Sequence, residues 1–297
     1  MAFAASMSLP LPPVTSSAHA TPDRPPAEPI LLLLRDLVHE RTGVHFDNDR
    51  LDLLVDKLRD RLAELRCAGL LDYYYLLKYD DQRGTDEWRR VMDAVSVQET
   101  YFWREVDQVR ALVDHVVPAW FKSRLAPLRI WSAACATGEE PLSIAMALAE
   151  AGWGDHPIEI HAIDASEAAL AKARAGVYRE RAFRALPSAL RNRYFESRPE
   201  GYVISPDIKA RVTYSWANLA EPASYAHLPA PSVIFCRNVF IYFSSASITR
   251  AVSAFADRLS PPGHLFIGSS ESLLKLTDRF DLQEVGGAFV YRRDERP

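Results

Sequence analysis

Between residues 50 and 66 the chain sets Leu51, Leu54, Leu58, Leu62 and Leu65 at steps of three and four, the spacing of one buried stripe on an α-helix. The whole segment 30–94 has this character: the Ala68-Gly69 pair reads as a stop, residues 73–77 resume an apolar face, and a polar stretch follows at 80–86. A small all-helical domain over 30–94 is predicted. Beyond it the period changes. Residues 129–133, 159–163, 232–236 and 264–267 are short apolar or β-branched runs separated by longer helical segments. Such alternation implies an open, mostly parallel sheet covered by helices on both faces. Residues 202–205 and 209–215 alternate like strands around a turn at Pro206-Asp207, which suggests a small antiparallel β subdomain inserted at about 179–216. Residues 280–285 and 288–292, joined by Gly286-Gly287, read as a terminal hairpin. The second domain is therefore expected over 95–297.

Composition narrows the class. The 297 residues are 48% hydrophobic and 25% charged, enough to bury a sizeable core in each of two domains. Residues 1–29 are rich in Ala, Pro and Ser and lack the basic start and continuous apolar stretch of a secretion signal, so they read as a disordered tail. A net charge of -4 gives no overall attraction to nucleic acid or anionic lipid. The longest apolar run, 30–34, is broken by Arg35 and Asp36, far short of a membrane span. Cys67, Cys135 and Cys236 lie far apart and match no zinc spacing with the eight histidines, so a reducing compartment and no metal are expected.

Candidate chemistry gathers where strands are predicted to end. The segment from Trp131 to Pro141 follows a strand and opens a helix, with small residues and Gly138 at the junction; ligands of doubly wound sheets sit at such places. Asp164 ends the next strand, where a carboxylate can accept from two ribose hydroxyls or serve only as a helix cap. Asn218 and Leu219 can read the edge of an adenine, or form an Asx turn. Arg237 and Asn238 stand between apolar runs and need partners if buried, and Tyr242 follows them as a ligand-facing or simply a core aromatic. Upstream, residues 98–105 mix Gln98, Thr100 and Arg104 with three aromatics.

In this order these segments resemble the CheR-type chemotaxis receptor methyltransferases over about residues 32–291. The specific parts are Thr100-Tyr101-Phe102-Trp103-Arg104, residues 136–141, residues 173–178, residues 235–243, and Gly268 to Glu271. The resemblance implies an α/β fold: a Rossmann-like S-adenosylmethionine-dependent methyltransferase sheet with the inserted antiparallel subdomain, preceded by the helical domain. It implies a cytoplasmic, monomeric enzyme that uses S-adenosylmethionine to esterify glutamate side chains on the cytoplasmic domain of a methyl-accepting receptor, leaving S-adenosylhomocysteine. By matching positions, Gln98, Thr100, Arg104 and Glu139 would border the methionine end, Asp164 the ribose, Asn218 and Leu219 the adenine, and Arg237 and Asn238 the wall beneath; Arg104 and Tyr242 would flank the transferred methyl as the catalytic pair.

Three departures qualify this. Gln98 stands where the family commonly has Asn, and Ala165-Ser166 follow Asp164 where a second acid is frequent. The segment 50–66, strongly basic in enteric members, carries five basic and four acidic residues here, a balance of +1 typical of a solvated helix face. The link around 194–202 is also short beside members that dock on a receptor's C-terminal tether, so no tether peptide is expected to bind. Two rival classes are a methyltransferase acting on another acceptor and a cofactor-binding signalling module without catalysis.

Overall fold

A computed structural model describes residues 28–123 and 126–294. The tail read as disordered therefore lies outside the described residues, except that Glu28 and Pro29 already belong to the first helix. Four helices build the first domain: α1 (Glu28–Thr42), α2 (Leu51–Glu64), α3 (Leu70–Tyr79) and α4 (Asp81–Val95). The predicted stripe is its centre. Leu51, Leu54 and Leu58 are buried with Leu34, Val38, Tyr73, Leu77 and Val91, each buried leucine contributing about 1.5–3 kcal/mol.

Two local readings change. Helix α2 stops before the Ala68-Gly69 pair, because Arg66 takes φ +54° and closes the end with Arg66 N–H on the Ala63 carbonyl and Cys67 N–H on that of Leu62. Gly69 instead precedes α3. The polar stretch 80–86 is the first half of α4: the Asp80 carboxylate caps it by accepting from Arg83 N–H at 2.9 Å. Gly84 lets α4 approach closely, since a Cβ there would lie 3.0 Å from the Leu76 carbonyl oxygen. One buried position of α4 is charged, which hides its inner face from a hydrophobic count: Glu87 accepts from Arg61 at 2.9 and 2.6 Å and from the Tyr73 hydroxyl at 2.6 Å.

After α5 (Val106–Ala111), a π-helical turn and α6 (Val117–Ser123), the chain alternates β1 (Leu128–Ala133), α7 (Glu139–Glu150), β2 (Ile158–Asp164) and α8 (Glu167–Ala175). Next come β3 (Val177–Tyr178), α9 (Ser188–Tyr194), β4 (Phe195–Arg198), β5 (Gly201–Ile204), the single turn α10 (Pro206–Lys209) and β6 (Val212–Trp216). The chain then runs through β7 (Val233–Cys236), α11 (Ser245–Arg258), β8 (Gly263–Ile267), β9 (Asp281–Val285) and β10 (Ala288–Arg293). The main sheet has the order β6-β2-β1-β7-β8-β10-β9, parallel through β8 and closed by the antiparallel β9–β10 hairpin, whose Gly286 and Gly287 both have positive φ as the sequence requires. β7 is buried at every position and β1 at all but one, as a central parallel sheet demands.

The inserted subdomain is narrower than its predicted span of 179–216. Its sheet is β3-β5-β4, starting at Val177, whereas β6 runs parallel to β2 in the main sheet and Pro206-Asp207 open a helical turn rather than a hairpin. Residues 209–215 alternate because β6 is an edge strand with one face toward solvent, a pattern that a hairpin strand shares.

Connections from β1 run outward to β2 and β6, and then return across β1 to β7. The order reverses between β1 and β7, so a crevice opens beyond the carboxyl ends of those two strands. The helical domain is seated over it. Val44 bridges to Phe243, His45 N–H donates to the Tyr242 carbonyl at 2.8 Å, the Asn218 amide donates to the Arg41 carbonyl at 2.7 Å, and Asp93 on α4 accepts from Ser166 Oγ at 2.6 Å and Ala168 N–H at 3.2 Å.

Candidate active site

The crevice encloses about 970 Å³, counting the space open to solvent. Gln98, Thr100, Arg104, Asp164, Asn218, Leu219, Arg237, Asn238 and Tyr242 all line it. These nine come from the linker after α4 and from the ends of β2, β6 and β7, four stretches distant in sequence that meet at one cleft.

Glu139 does not. It is 4% exposed, its carboxylate accepts from Thr137 Oγ at 2.6 Å, and burial pushes its pKa upward. It sits inside the first turn of α7, and the adjacent Glu140 lines the cleft instead. Glu140 in turn is committed to structure: it accepts from Ser132 Oγ at 2.7 Å and from Arg237 Nε at 2.7 Å.

Arg237 is the hub of this floor. Its side chain is 3% exposed, and beyond Glu140 it donates to the carbonyls of Arg104 at 2.9 Å and Glu105 at 3.3 Å. A buried guanidinium needs such a set of acceptors, and here they fix the backbone that carries Arg104. Phe102 anchors the same segment from the other side. It is fully buried, stacked with Phe183 at 5.3 Å and edge-on to Tyr178 and Phe195, while its N–H donates to the Ala182 carbonyl at 2.9 Å. Arg104 itself is half-buried, with Nη1 on the Glu99 carbonyl at 2.8 Å and its guanidinium 5.6 Å from the Tyr101 ring.

Asp164 is 9% exposed and burial raises its pKa, against backbone hydrogen bonds that lower it. Oδ2 accepts from Ala136 N–H and Oδ1 from Ser166 N–H, both at 2.8 Å, tying the β1–α7 and β2–α8 loops together. The cap of α8 is Ser166, not Asp164, because Ser166 Oγ accepts from Ala169 N–H at 3.1 Å. An ionised carboxylate has about four lone-pair sites, more than these backbone donors use, which suits acceptance from ribose hydroxyls. Ala134, Ala136 and Ala217 on the same wall are small enough for a ligand to lie against the backbone.

Asn218 takes the Asx turn: Oδ1 accepts from Ala220 N–H at 3.0 Å while the amide nitrogen binds the helical domain. Both ends of its side chain are thus engaged within the protein. Gln98 Nε2 donates to Ser166 Oγ at 3.2 Å. Cys135 and Cys236 are buried and burial pushes both thiols up, so neither offers a thiolate nucleophile.

Sequence reasoning missed the roof. Thr42, Val44, Met92, Val95, Ser96 and Val97 line the cleft from the helical domain and the linker. Thr42, Met92 and Val95 stand on helices and the other three in the segments that follow them, and no local pattern says that these residues close over a site in another domain.

Two comparisons bear on this geometry. The family described as "CheR methyltransferase, SAM binding domain" matches residues 98–287, and "CheR methyltransferase, all-alpha domain" matches residues 31–96. The chain belongs to the CheR methyltransferase family. It is 35% identical to the Chemotaxis protein methyltransferase 2 of Vibrio cholerae over 84% of this chain and 87% of that one. It is 33% identical to the Chemotaxis protein methyltransferase of Escherichia coli over 87% of this chain and 88% of that one. A Pseudomonas putida protein named "Probable biofilm formation methyltransferase WspC" is 32% identical over 87% of this chain but only 60% of its own length. As a CheR methyltransferase, the protein is an S-adenosylmethionine-dependent enzyme with the helical domain and mixed sheet described above. Among the described residues no helix is long and apolar enough to cross a membrane, and no cluster of His, Cys, Asp and Glu could hold a metal.

Proposed function

We propose that this enzyme transfers a methyl group to glutamate side chains on the cytoplasmic part of a methyl-accepting receptor, acting in the cytoplasm as a monomer. The observation that carries the reading is the convergence of nine site residues at one interdomain cleft whose donor set suits a nucleoside at one end and a carboxylate at the other. Asp164 would hold the ribose, Leu219 and the loop shaped by Asn218 the adenine, Gln98 and Thr100 the amino-acid end, and Asn238 the wall above the pinned Arg237. Bound S-adenosylmethionine supplies an electrophilic methyl on a sulfonium.

The chain's own residues then have a modest task. A glutamate has a reference pKa of about 4.3 and is already ionised at neutral pH, so no general base is required. Attack of a carboxylate on a sulfonium would cancel two opposite charges, and the apolar lining from Val44, Met92 and Val95 would disfavour the separated ions. Arg104, held by the Glu99 carbonyl and by the floor around Arg237, would orient a carboxylate by charge-assisted hydrogen bonds, and Tyr242, which lines the same cleft, would border the methyl.

The acceptor's docking need not resemble that of enteric members. Arg61 is turned inward to Glu87, which leaves the rest of the 50–66 segment with four cations to four anions. The β4–β5 hairpin turns on Pro199 and Glu200 alone, consistent with no need for a receptor tether. A second reading, an acceptor outside chemotaxis, is favoured only by the likeness to the biofilm-formation methyltransferase. Incubation with methyl-labelled S-adenosylmethionine and membranes of the source cell tests both. Base-labile label released as methanol from a receptor-sized band supports the proposal, the mass of the band identifies which receptor, and base-stable label contradicts a glutamate ester.

A further inference from the structure

Glu271 lies outside the cleft lining and is assigned nothing by the site as built so far. Its carboxylate nevertheless accepts four backbone N–H groups. Oε2 receives Gly268 at 2.6 Å and Asn238 at 2.9 Å, and Oε1 receives Phe240 at 2.7 Å and Ile241 at 3.3 Å. Three of these donors belong to the loop after β7, the loop that ends in Tyr242. Asn238 at its start has φ +59°, the left-handed conformation that Asn accepts more readily than most L-residues.

The packing leaves no slack. A Cβ at Gly268 would stand 2.8 Å from Glu271 Oε2 and 2.6 Å from the Asn238 amide nitrogen, so the two loops meet with the carboxylate between them. On the other side Glu105 accepts from Asn238 Nδ2 at 3.3 Å and from Ser269 N–H at 3.1 Å, linking the same loops to the backbone next to Arg104. The Arg104 segment and the Tyr242 loop are thereby held to one another by the direct bonds of Arg237 and Asn238 to residues 104 and 105, with the Glu271 carboxylate fixing the loop from its other side.

We propose that Glu271 is a positioning residue for methyl transfer: by gathering the N–H groups of Gly268, Asn238, Phe240 and Ile241 on one carboxylate, it sets the place of Tyr242 relative to Arg104 without touching cofactor or acceptor. The inference rests on the reading that Arg104 and Tyr242 flank the transferred methyl. A carboxylate is required and a carboxamide will not serve, because each oxygen accepts two N–H groups. Glu271→Gln puts an NH2 against two backbone donors whichever way the amide turns.

The experiment is steady-state methyl transfer by the full-length enzyme and its Glu271→Gln, Glu271→Asp, Tyr242→Phe and Arg104→Ala variants, with S-adenosylhomocysteine affinity and the thermal midpoint measured alongside. Glu271→Gln is expected to lose about 10- to 100-fold in kcat, the scale of a reacting geometry displaced by an ångström or less. Its KM for S-adenosylmethionine and its S-adenosylhomocysteine affinity should stay within about threefold, since the Asp164 end of the cleft is untouched. Glu271→Asp, which keeps both acceptor oxygens, should recover part of the loss. A folded Glu271→Gln enzyme with unchanged kcat overturns the inference, as does a fall in kcat matched by an equal fall in cofactor affinity. If both Glu271 variants fail to fold, the residue serves stability and the positioning role is wrong. Should Tyr242→Phe and Arg104→Ala lose activity while Glu271→Gln keeps it, this inference fails and the proposed function stands. Should Tyr242→Phe and Arg104→Ala keep it, the underlying reading fails.

Discussion

Trp103, Glu105, Ala134, Ala136 and Asn238 all have positive φ and all stand at or beside the cleft, five of the seven such non-glycine residues among those described. Each costs on the order of 1 kcal/mol, and neighbouring groups hold four of the five in place. Ser143 Oγ receives the Trp103 N–H, Arg237 binds the Glu105 carbonyl, Asp164 takes the Ala136 N–H, and Glu271 takes that of Asn238. The polar residues recognisable in the sequence thus divide into those that face the cleft and those that bend the backbone toward it. Arg104 belongs to the first kind. Arg104→Ala is expected to lower turnover at saturating cofactor by about 10²–10³, as loss of an oriented charged donor does elsewhere, with little change in thermal midpoint. Asp164 does both jobs. Asp164→Asn should weaken S-adenosylhomocysteine binding by about 10-fold or more in calorimetry, and also cost roughly 1–3 kcal/mol of stability, because its amide end cannot accept the N–H that the lost oxygen held.

At the scale of elements, the sequence was legible wherever burial, on one face of a helix or both faces of a central strand, was carried mainly by apolar residues. The leucine stripe of α2, the buried runs of β1, β2, β7 and β8, and the glycine-turned β9–β10 hairpin were all expected from spacing alone. It was illegible where a polar group did a hydrophobe's work or where one pattern fits two partners. The start of α4 was left unmarked within the helical domain because its first half is the polar stretch 80–86 and its buried face includes Glu87, and β6 was assigned to the inserted sheet because alternation does not say which neighbour a strand joins. Likewise, a conspicuous Glu-Glu pair opens α7, but only the geometry of its first turn decides that Glu140, and not Glu139, faces the cleft. The end of α2 was misplaced because Arg66 takes the left-handed position usually given to glycine. Arg66→Gly should therefore stabilise the protein by up to about 1 kcal/mol in chemical denaturation, the relief of φ strain exceeding the entropy that glycine adds to the unfolded chain. No change, or a loss, would mean that the Arg66 side chain contributes more than its backbone costs.

For the whole molecule, the crevice at the β1–β7 reversal follows from topology, whereas its closure depends on a domain whose sequence carries no mark of the site. Asp93, Arg41 and His45 hold that domain on the sheet through contacts about 75 to 200 residues apart in sequence, beyond the reach of any local pattern. One global property can be read from a single half-buried base. His264 on β8 has its pKa lowered from 6.5 to about 4, first by burial and then by Arg292, with Asp294 opposing. Its neutral form is the native one, so its contribution is fully present above pH 6.5 and is lost progressively as pH falls toward about 4, where the unfolded chain takes up the proton more readily. Denaturation midpoints of the wild-type protein should fall more steeply across that window than those of His264→Gln, and parallel curves would refute the assignment.

The central claim is that the cleft between the helical domain and the sheet receives the cofactor and presents its sulfur to the Arg104–Tyr242 gap. A crystal structure of the full chain with S-adenosylhomocysteine measures this directly. The ribose hydroxyls should lie on the Asp164 carboxylate, the adenine beside Leu219, and the sulfur toward Arg104 and Tyr242. A product molecule bound anywhere else, or bound in the cleft with its sulfur turned away from that pair, would contradict the account.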